Sequence, residues 1–369
     1  MKILVTGSKG FVGKNLIAEL KNQKYTDILE YDIDTDESFL EKYTNECEFV
    51  FHLAGVNRPK DEKEFQTGNF GFTSDLLALL KKYDNPAPVL ITSSIQAELD
   101  NPYGKSKKAG EDIVFEYAKK TGNTVFVYRL SNLFGKWSRP NYNTVIATFC
   151  NNIARGFDIS INNPDAILRL CYIDDVVSEF IKVLNGSSHK NGLYCSVPVE
   201  HTITLGDLAA LLYSFRDSRK ELSVPDNSDD FTRKLYSTYL SFLPKDCFSY
   251  DLTMHSDHRG SFTEFIRTPD RGQVSVNISK PGIAKGHHWH HTKNEKFLVV
   301  SGEGVIKFRK IGEDTVIEYR VSGEKLQVVD IPTGYTHSIE NTGEGDMVTI
   351  MWVNEAFNPD KPDTYYEEV

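Results

Sequence analysis

The chain changes its pattern near residue 243, and that change limits the folds open to it. Up to that point short β-rich runs (KILVTG, FVFHLAG, PVLITSS, TVFVYRLS) alternate with amphipathic segments such as GKNLIAELKN and SDLLALLKKY. This alternation predicts a parallel sheet wrapped by helices, because parallel neighbours need a crossover and a helix provides it. Beyond FLPKDCFSYDL the runs GQVSVNIS, EKFLVVSGEGVIKFRKI, TVIEYRV, LQVVDIPTG and DMVTIMWV succeed one another across turn residues, with almost no helical spacing. They predict a small antiparallel sandwich or barrel. The expected organisation is an α/β domain over residues 1–243 and an all-β domain over 247–369, with the boundary inside 244–252. A chain of 369 residues is long enough for two such cores.

Composition narrows the partners. Net charge is −10, from 42 Lys+Arg against 52 Asp+Glu, and no basic tract is present. Nucleic acid and anionic lipid are therefore excluded as the main partner, whereas a phosphorylated small molecule needs only a few local donors. The N-terminus MKILVTGSKG runs straight into a strand and a glycine turn, unlike a secretion signal, and no apolar run reaches membrane-spanning length. The five cysteines are scattered and form no CxxC pair, as expected of reduced thiols in a cytoplasmic protein.

VTGSKGFVG places Gly7, Gly10 and Gly13 directly after the first strand, with Phe11 and Val12 opening a helix. Glycine lets the backbone turn sharply and approach a pyrophosphate, whose charge the helix N-terminus meets. Asp32, at the end of the second strand, is placed to accept hydrogen bonds from an adenosine ribose, although Asp34 and Asp36 follow it closely. Further on, Tyr103 and Lys107 stand four apart and share a helix face. A lysine beside a tyrosine is expected to lower the phenol's pKa and make it a usable acid, while Ser94 bonds the same substrate oxygen.

Together with HLAG (His52 to Gly55), RLSNLFG (Arg129 to Gly135) and YIDDV (Tyr172 to Val176), these residues resemble the extended short-chain dehydrogenase/reductases, which act mostly on nucleotide sugars. The resemblance implies a Rossmann-type domain. It implies that Tyr103 handles the carbonyl proton with Ser94 and Lys107, and that Leu53 and Ala54 line the cofactor. It further implies that Asn132 contacts substrate and that Arg169, one place closer to YIDDV than usual, binds the diphosphate. Asp32 without a following basic residue favours NADH, because an acid repels the 2′-phosphate of NADPH. The family precedent favours NADPH, and NADPH is the expected cofactor.

GHHWHHTKNE sets four of the chain's ten histidines at residues 287, 288, 290 and 291. On a strand, side chains alternate, so His288 and His290 face one way and His287, Trp289 and His291 the other. The HxH pair, Glu295 returned by the turn 292–294, and His337 from another strand make a metal-type ligand set. Zinc is expected, with iron or manganese open to the same donors. The spacing of Gly282, His288, His290, Glu295 and Gly302, then of Pro332, Gly334, His337 and Asn341, resembles the two cupin motifs, although Leu326 stands where the second usually begins with glycine. SDHRGSFTEF and KGHHWH also resemble dTDP-4-keto-6-deoxysugar 3,5-epimerases, which implies a keto-sugar nucleotide pocket with Arg259 near the phosphates.

The fusion of the two halves resembles bifunctional capsular-polysaccharide enzymes of the UDP-N-acetyl-L-fucosamine precursor pathway. That likeness implies C3 epimerisation and C4 reduction of a UDP-linked 4-keto-6-deoxy amino sugar by a cytoplasmic homodimer. Two other readings fit the same residues: a reductase whose cupin is only structural, and a non-catalytic dinucleotide-dependent sensor.

Overall fold

A computed structural model of the chain describes residues 1–56, 61, 65–142, 144–268, 270–356, 358–360 and 362–369, with Gln66 and Thr67 as backbone only. Two compact units are present: Met1–Tyr213 with Ser228–Pro244, and Ser214–Asn227 with Lys245–Val369. Neither the strand–helix alternation nor any motif marks Ser214–Asn227 as a segment of the second unit.

In the first unit, β1 (Ile3–Thr6), β2 (Ile28–Tyr31), β3 (Phe49–His52), β4 (Val89–Ser94) and β5 (Val125–Leu130) lie parallel in the order β2-β1-β3-β4-β5. The short strands Tyr194–Cys195 and Lys190–Asn191 extend the β5 edge to seven strands. β1 and β3 are buried at every residue, as a sheet covered on both faces requires. Leu16, Leu20 and Phe180 pack on one face; Leu76, Leu80 and Val114 pack on the other. Strand order reverses between β1 and β3, and the crevice at the carboxyl ends of such strands is where α/β sheets bind ligands. This is the expected Rossmann-type arrangement.

The helix Pro102–Thr121 is bounded by its own sequence: Asn101 accepts from the Gly104 amide at 2.8 Å, Pro102 opens the first turn, and Gly122 ends it at φ 82°. It is fixed by Glu111, whose fully buried carboxylate takes Arg129 Nε at 2.8 Å, Arg129 Nη2 at 2.7 Å and Ser93 Oγ at 2.6 Å. Breaking such a buried pair from one side costs about 3–5 kcal/mol. Glu111 lies one turn beyond Lys107, so this anchor sets the helix that carries Tyr103.

The second unit is all antiparallel. One sheet runs Met254–Asp257, Gly260–Thr268, Gly272–Ser279, Met347–Val353, Glu295–Ser301, Val328–Ile331. The other runs Val316–Ser322, Glu303–Lys310, Tyr335–Asn341, Ala284–Trp289, Tyr365–Tyr366. Phe297, Val299, Ile306, Phe308, Ile331 and Ile339 form an apolar core between them. The alternate residues of Gly272–Ser279 that turn inward are Gln273, Ser275, Asn277 and Ser279, all buried. Part of the interior is therefore polar, which suits a binding cavity better than a packed core. None of the five cysteines forms a disulfide. Among the described residues no helix is long and apolar enough to cross a membrane.

Candidate active sites

The glycine turn has the shape its residues dictate. Gly7 sits at φ +70°, and a Cβ there would lie 2.7 Å from the Ala54 amide nitrogen. A Cβ on Gly13 would collide with the Gly7 carbonyl oxygen. The helix Phe11–Asn22 starts at Gly10 with no side-chain cap and no acid in its first turn. The amides of Phe11, Val12 and Gly13 therefore have neither an intrahelical acceptor nor a capping oxygen, an arrangement ready for an anion. Leu53 N donates to Thr6 O at 3.2 Å and Ala54 N to Thr6 Oγ1 at 3.3 Å, holding that segment against the turn. Asp32 accepts from Lys9 N at 2.7 Å and Ile33 N at 2.8 Å, and Lys9 Nζ pairs with Asp34 at 2.5 Å. The basic residue that sequence sought after Asp32 stands before it, inside the glycine turn.

Ser94 ends β4, and Tyr103 and Lys107 share a face of the Pro102–Thr121 helix, as the four-residue spacing requires. The electrostatics differ from expectation. Burial pushes the Tyr103 phenol above its ordinary value, against a hydrogen bond with Ser94 that lowers it. Lys107 Nζ lies 6.0 Å from the tyrosine ring centroid and donates to Thr92 O at 3.3 Å. Lys107 is not among the groups that shift the Tyr103 phenol; burial sets the direction. Lys107 itself is drawn down to about 8 by burial, with Glu111 opposing.

Asn132 and Arg169 are neighbours on a second, three-stranded sheet, His201–Thr204, Ile167–Tyr172, Asn132–Phe134. Asn132 Nδ2 donates to Arg169 O at 3.3 Å, and the Arg169 guanidinium grips Glu200 at 2.6 and 3.0 Å.

In the second unit His288, His290, Glu295 and His337 converge, with one donor atom from each inside 4.8 Å of the others. Glu295 Oε2 lies 3.1 Å from His337 Nε2 and 3.7 Å from His290 Nε2. Those three atoms are buried and make no hydrogen bond among the described residues, a costly state unless a further partner shares the site. His290 Nδ1 is 2.6 Å from the Asp363 carbonyl oxygen. A carbonyl only accepts, so Nδ1 carries the hydrogen and Nε2 keeps its lone pair toward the cluster. Burial would raise the Glu295 carboxyl, but the two imidazoles outweigh it and hold it at about 2. The donor set fits a divalent cation.

Strict alternation breaks at His287. Gly286 at φ 108° and His287 at φ 57° form a bulge, and the strand ends at Trp289. His291 lies outside the cluster, edge-on to Trp289 at 4.6 Å and to Tyr365 at 5.0 Å.

Two residues escaped the sequence reading. The Asp363 carboxylate accepts from the amides of His291, Thr292 and Lys293 at 2.9–3.0 Å, fixing the turn between His290 and Glu295. No spacing marks it; the pairing of Trp289 with Tyr365 brings the tail there. Lys285 is the other. It lines a cavity of about 660 Å³ that also borders Arg259, Phe262, Asn277, His288 and Glu295. Arg259 is exposed and bonded to Asp257 at 2.6 Å.

The model of the NAD dependent epimerase/dehydratase family matches residues 3–194, and that of the polysaccharide biosynthesis C-terminal domain matches 255–365. The chain is 46% identical to a UDP-2-acetamido-2,6-beta-L-arabino-hexul-4-ose reductase of Pseudomonas aeruginosa, across 99% of this chain and 98% of that one. The crystal structure of the capsular polysaccharide assembling protein CapF from Staphylococcus aureus is similar over 100% of both chains, with a TM-score of 0.96 and 55% identity. The spore coat polysaccharide biosynthesis protein SpsL of Bacillus subtilis is 28% identical over 30% of this chain and 81% of its own. By fold, glycine turn and sequence, the chain belongs to the NAD dependent epimerase/dehydratase family.

Proposed function

We propose that the chain is a bifunctional nucleotide-sugar enzyme of capsule precursor synthesis. The all-β unit inverts C3 of UDP-2-acetamido-2,6-dideoxy-4-hexulose, and the α/β unit reduces the C4 ketone to UDP-2-acetamido-2,6-dideoxy-β-L-talose. The observation that carries this reading is the pairing of an intact Ser94–Tyr103–Lys107 group with a second cluster, His288, His290, Glu295 and His337, of which His288, Glu295 and His337 line a cavity. A sensor needs no such triad, and a purely structural cupin needs no cavity of about 660 Å³. The full-length likeness to the Pseudomonas reductase supports the same substrate class.

In the reductive step the Tyr103 hydroxyl donates its proton to the C4 oxygen. Ser94, at the end of the preceding strand, takes the other side of that oxygen. Lys107 places a positive charge behind the phenol, and Gly7, Gly10 and Gly13 with the amides of Phe11 and Val12 seat the pyrophosphate. A nicotinamide cofactor, when bound, supplies the hydride. In the epimerase cavity His288, His290, Glu295 and His337 would hold zinc, which as a Lewis acid favours negative charge on the ketone oxygen. Arg259 meets the diphosphate. The test is the product: NMR of the alcohol formed with NADPH is expected to show C3 and C4 both with talo stereochemistry. An alcohol that keeps the starting C3 configuration would reduce the chain to a C4 reductase.

NADPH is proposed over NADH on the family precedent, with the Lys9 ammonium, which pairs with Asp34, as the cation on hand where the 2′-phosphate would lie. Initial rates are expected to favour NADPH several-fold in the native chain, and Lys9→Ala to remove that preference. A native preference for NADH would show that Asp32 dominates.

Asp363→Ala is expected to weaken metal binding about 10-fold or more, the usual effect of losing an outer support of the ligands. Competition with a chromogenic chelator measures it.

A further inference from the structure

We propose that Lys285 is the group that removes the C3 proton in the epimerase cavity, an inference that rests on the function proposed above. Apart from the metal-type cluster, the ionisable groups lining this cavity among the described residues are His255, Asp257, Arg259 and Lys285. Arg259 stays protonated in any protein setting. Asp257 is bonded to Arg259 through both its backbone amide and its guanidinium, which hold its carboxyl at about 2, too weak a base for a carbon acid. His255 is exposed on the edge strand Met254–Asp257. Lys285 is half-buried, on the strand that carries His288 three residues later.

Its nitrogen is held by two acceptors, Asn277 Oδ1 at 2.9 Å and Ile278 O at 2.8 Å. A neutral amine has two N–H bonds and one lone pair. Two acceptors that only accept therefore engage both N–H bonds and leave the lone pair, or in the ammonium the third N–H, as the position that exchanges a proton. Burial also lowers the ammonium below its ordinary value, against Asp257 and helped by Arg259, which makes the neutral amine more accessible. Neither acceptor belongs to the metal-type cluster.

The step balances as follows. The C3–H bond breaks, the proton goes to the Lys285 amine, and the electron pair forms the C3–C4 double bond while the C4 oxygen takes the charge. That oxygen's electron pair then restores the carbonyl as C3 receives a proton from water on the opposite face. Lys285 afterwards returns its extra proton to solvent.

The experiment uses the full chain with the keto-sugar in D2O without cofactor, following deuterium at C3 by NMR. Lys285→Ala and Lys285→Arg are each expected to slow exchange about 100-fold or more, the usual range for a general base, with zinc content and circular dichroism unchanged. Added methylamine is expected to restore exchange in Lys285→Ala. Exchange by Lys285→Arg within about threefold of the native rate would show that only the charge matters and overturn the proposal. So would a folded, zinc-containing Lys285→Ala that amine does not restore; if that variant fails to fold, the arginine variant decides. A native chain that exchanges nothing at C3 would sink the epimerase reading itself, and the role of Lys285 with it.

Discussion

Tyr103→Phe is expected to lower NADPH oxidation with the keto-sugar about 1000-fold or more, while C3 exchange without cofactor continues at the native rate. Positioned proton donors contribute about 10²–10⁴-fold, and Tyr103, in the first turn of the helix that follows β4 and Ser94, is the proton donor we propose. Phenylalanine keeps the ring, including its packing 5.7 Å from Phe65, so the loss tracks the hydroxyl and not the fold. Stopped-flow absorbance of the nicotinamide measures the first quantity, and NMR in D2O the second. A Tyr103→Phe chain that still oxidises NADPH at near-native rate would remove Tyr103 from the mechanism.

His290→Ala is expected to give the second large effect: metal lost on purification, and C3 exchange down at least about 100-fold. In the proposed ligand set His290 has Nδ1 tied to Asp363 O at 2.6 Å and a buried Nε2 with no hydrogen bond among the described residues. Its removal leaves Glu295 buried with one imidazole fewer to hold it. A metal that binds only the folded state stabilises it by about 4 kcal/mol when the free ion stands a thousandfold above Kd. The unfolding transition of the second unit is therefore expected to fall in temperature, and excess zinc to leave it there. Elemental analysis and calorimetry with and without chelator check both points. A zinc-free His290→Ala with full C3 exchange would show that the cluster only holds strands together.

Much of this was legible because it is local. Ser94, Tyr103 and Lys107 depend on one strand end and one helix face. The HxH pair depends on a two-residue period, and the glycine turn on three close approaches in seven residues. What sequence could not show depends on distant packing. Asp363 reaches the turn after His290 from more than 70 residues away. The bulge at Gly286–His287 interrupts a pattern that the period alone extends unbroken. The direction in which Tyr103 titrates is set by how deeply the helix buries it, a property of the whole unit and not of a lysine four places on. Lys285 gained meaning only when Gly272–Ser279 turned its polar face inward.

The most direct test of the proposed two-step activity separates the steps by withholding the reductant. The native full chain, loaded with zinc, is incubated with the 4-keto sugar nucleotide in D2O without NADPH, and the C3 position is followed by NMR. The expected result is deuterium at C3 with both C3 epimers present, then a single reduced product once NADPH is added. A sugar that keeps its C3 proton throughout, yet is reduced at C4 as soon as NADPH arrives, would contradict epimerisation and leave a reductase carrying a metal-stabilised β unit.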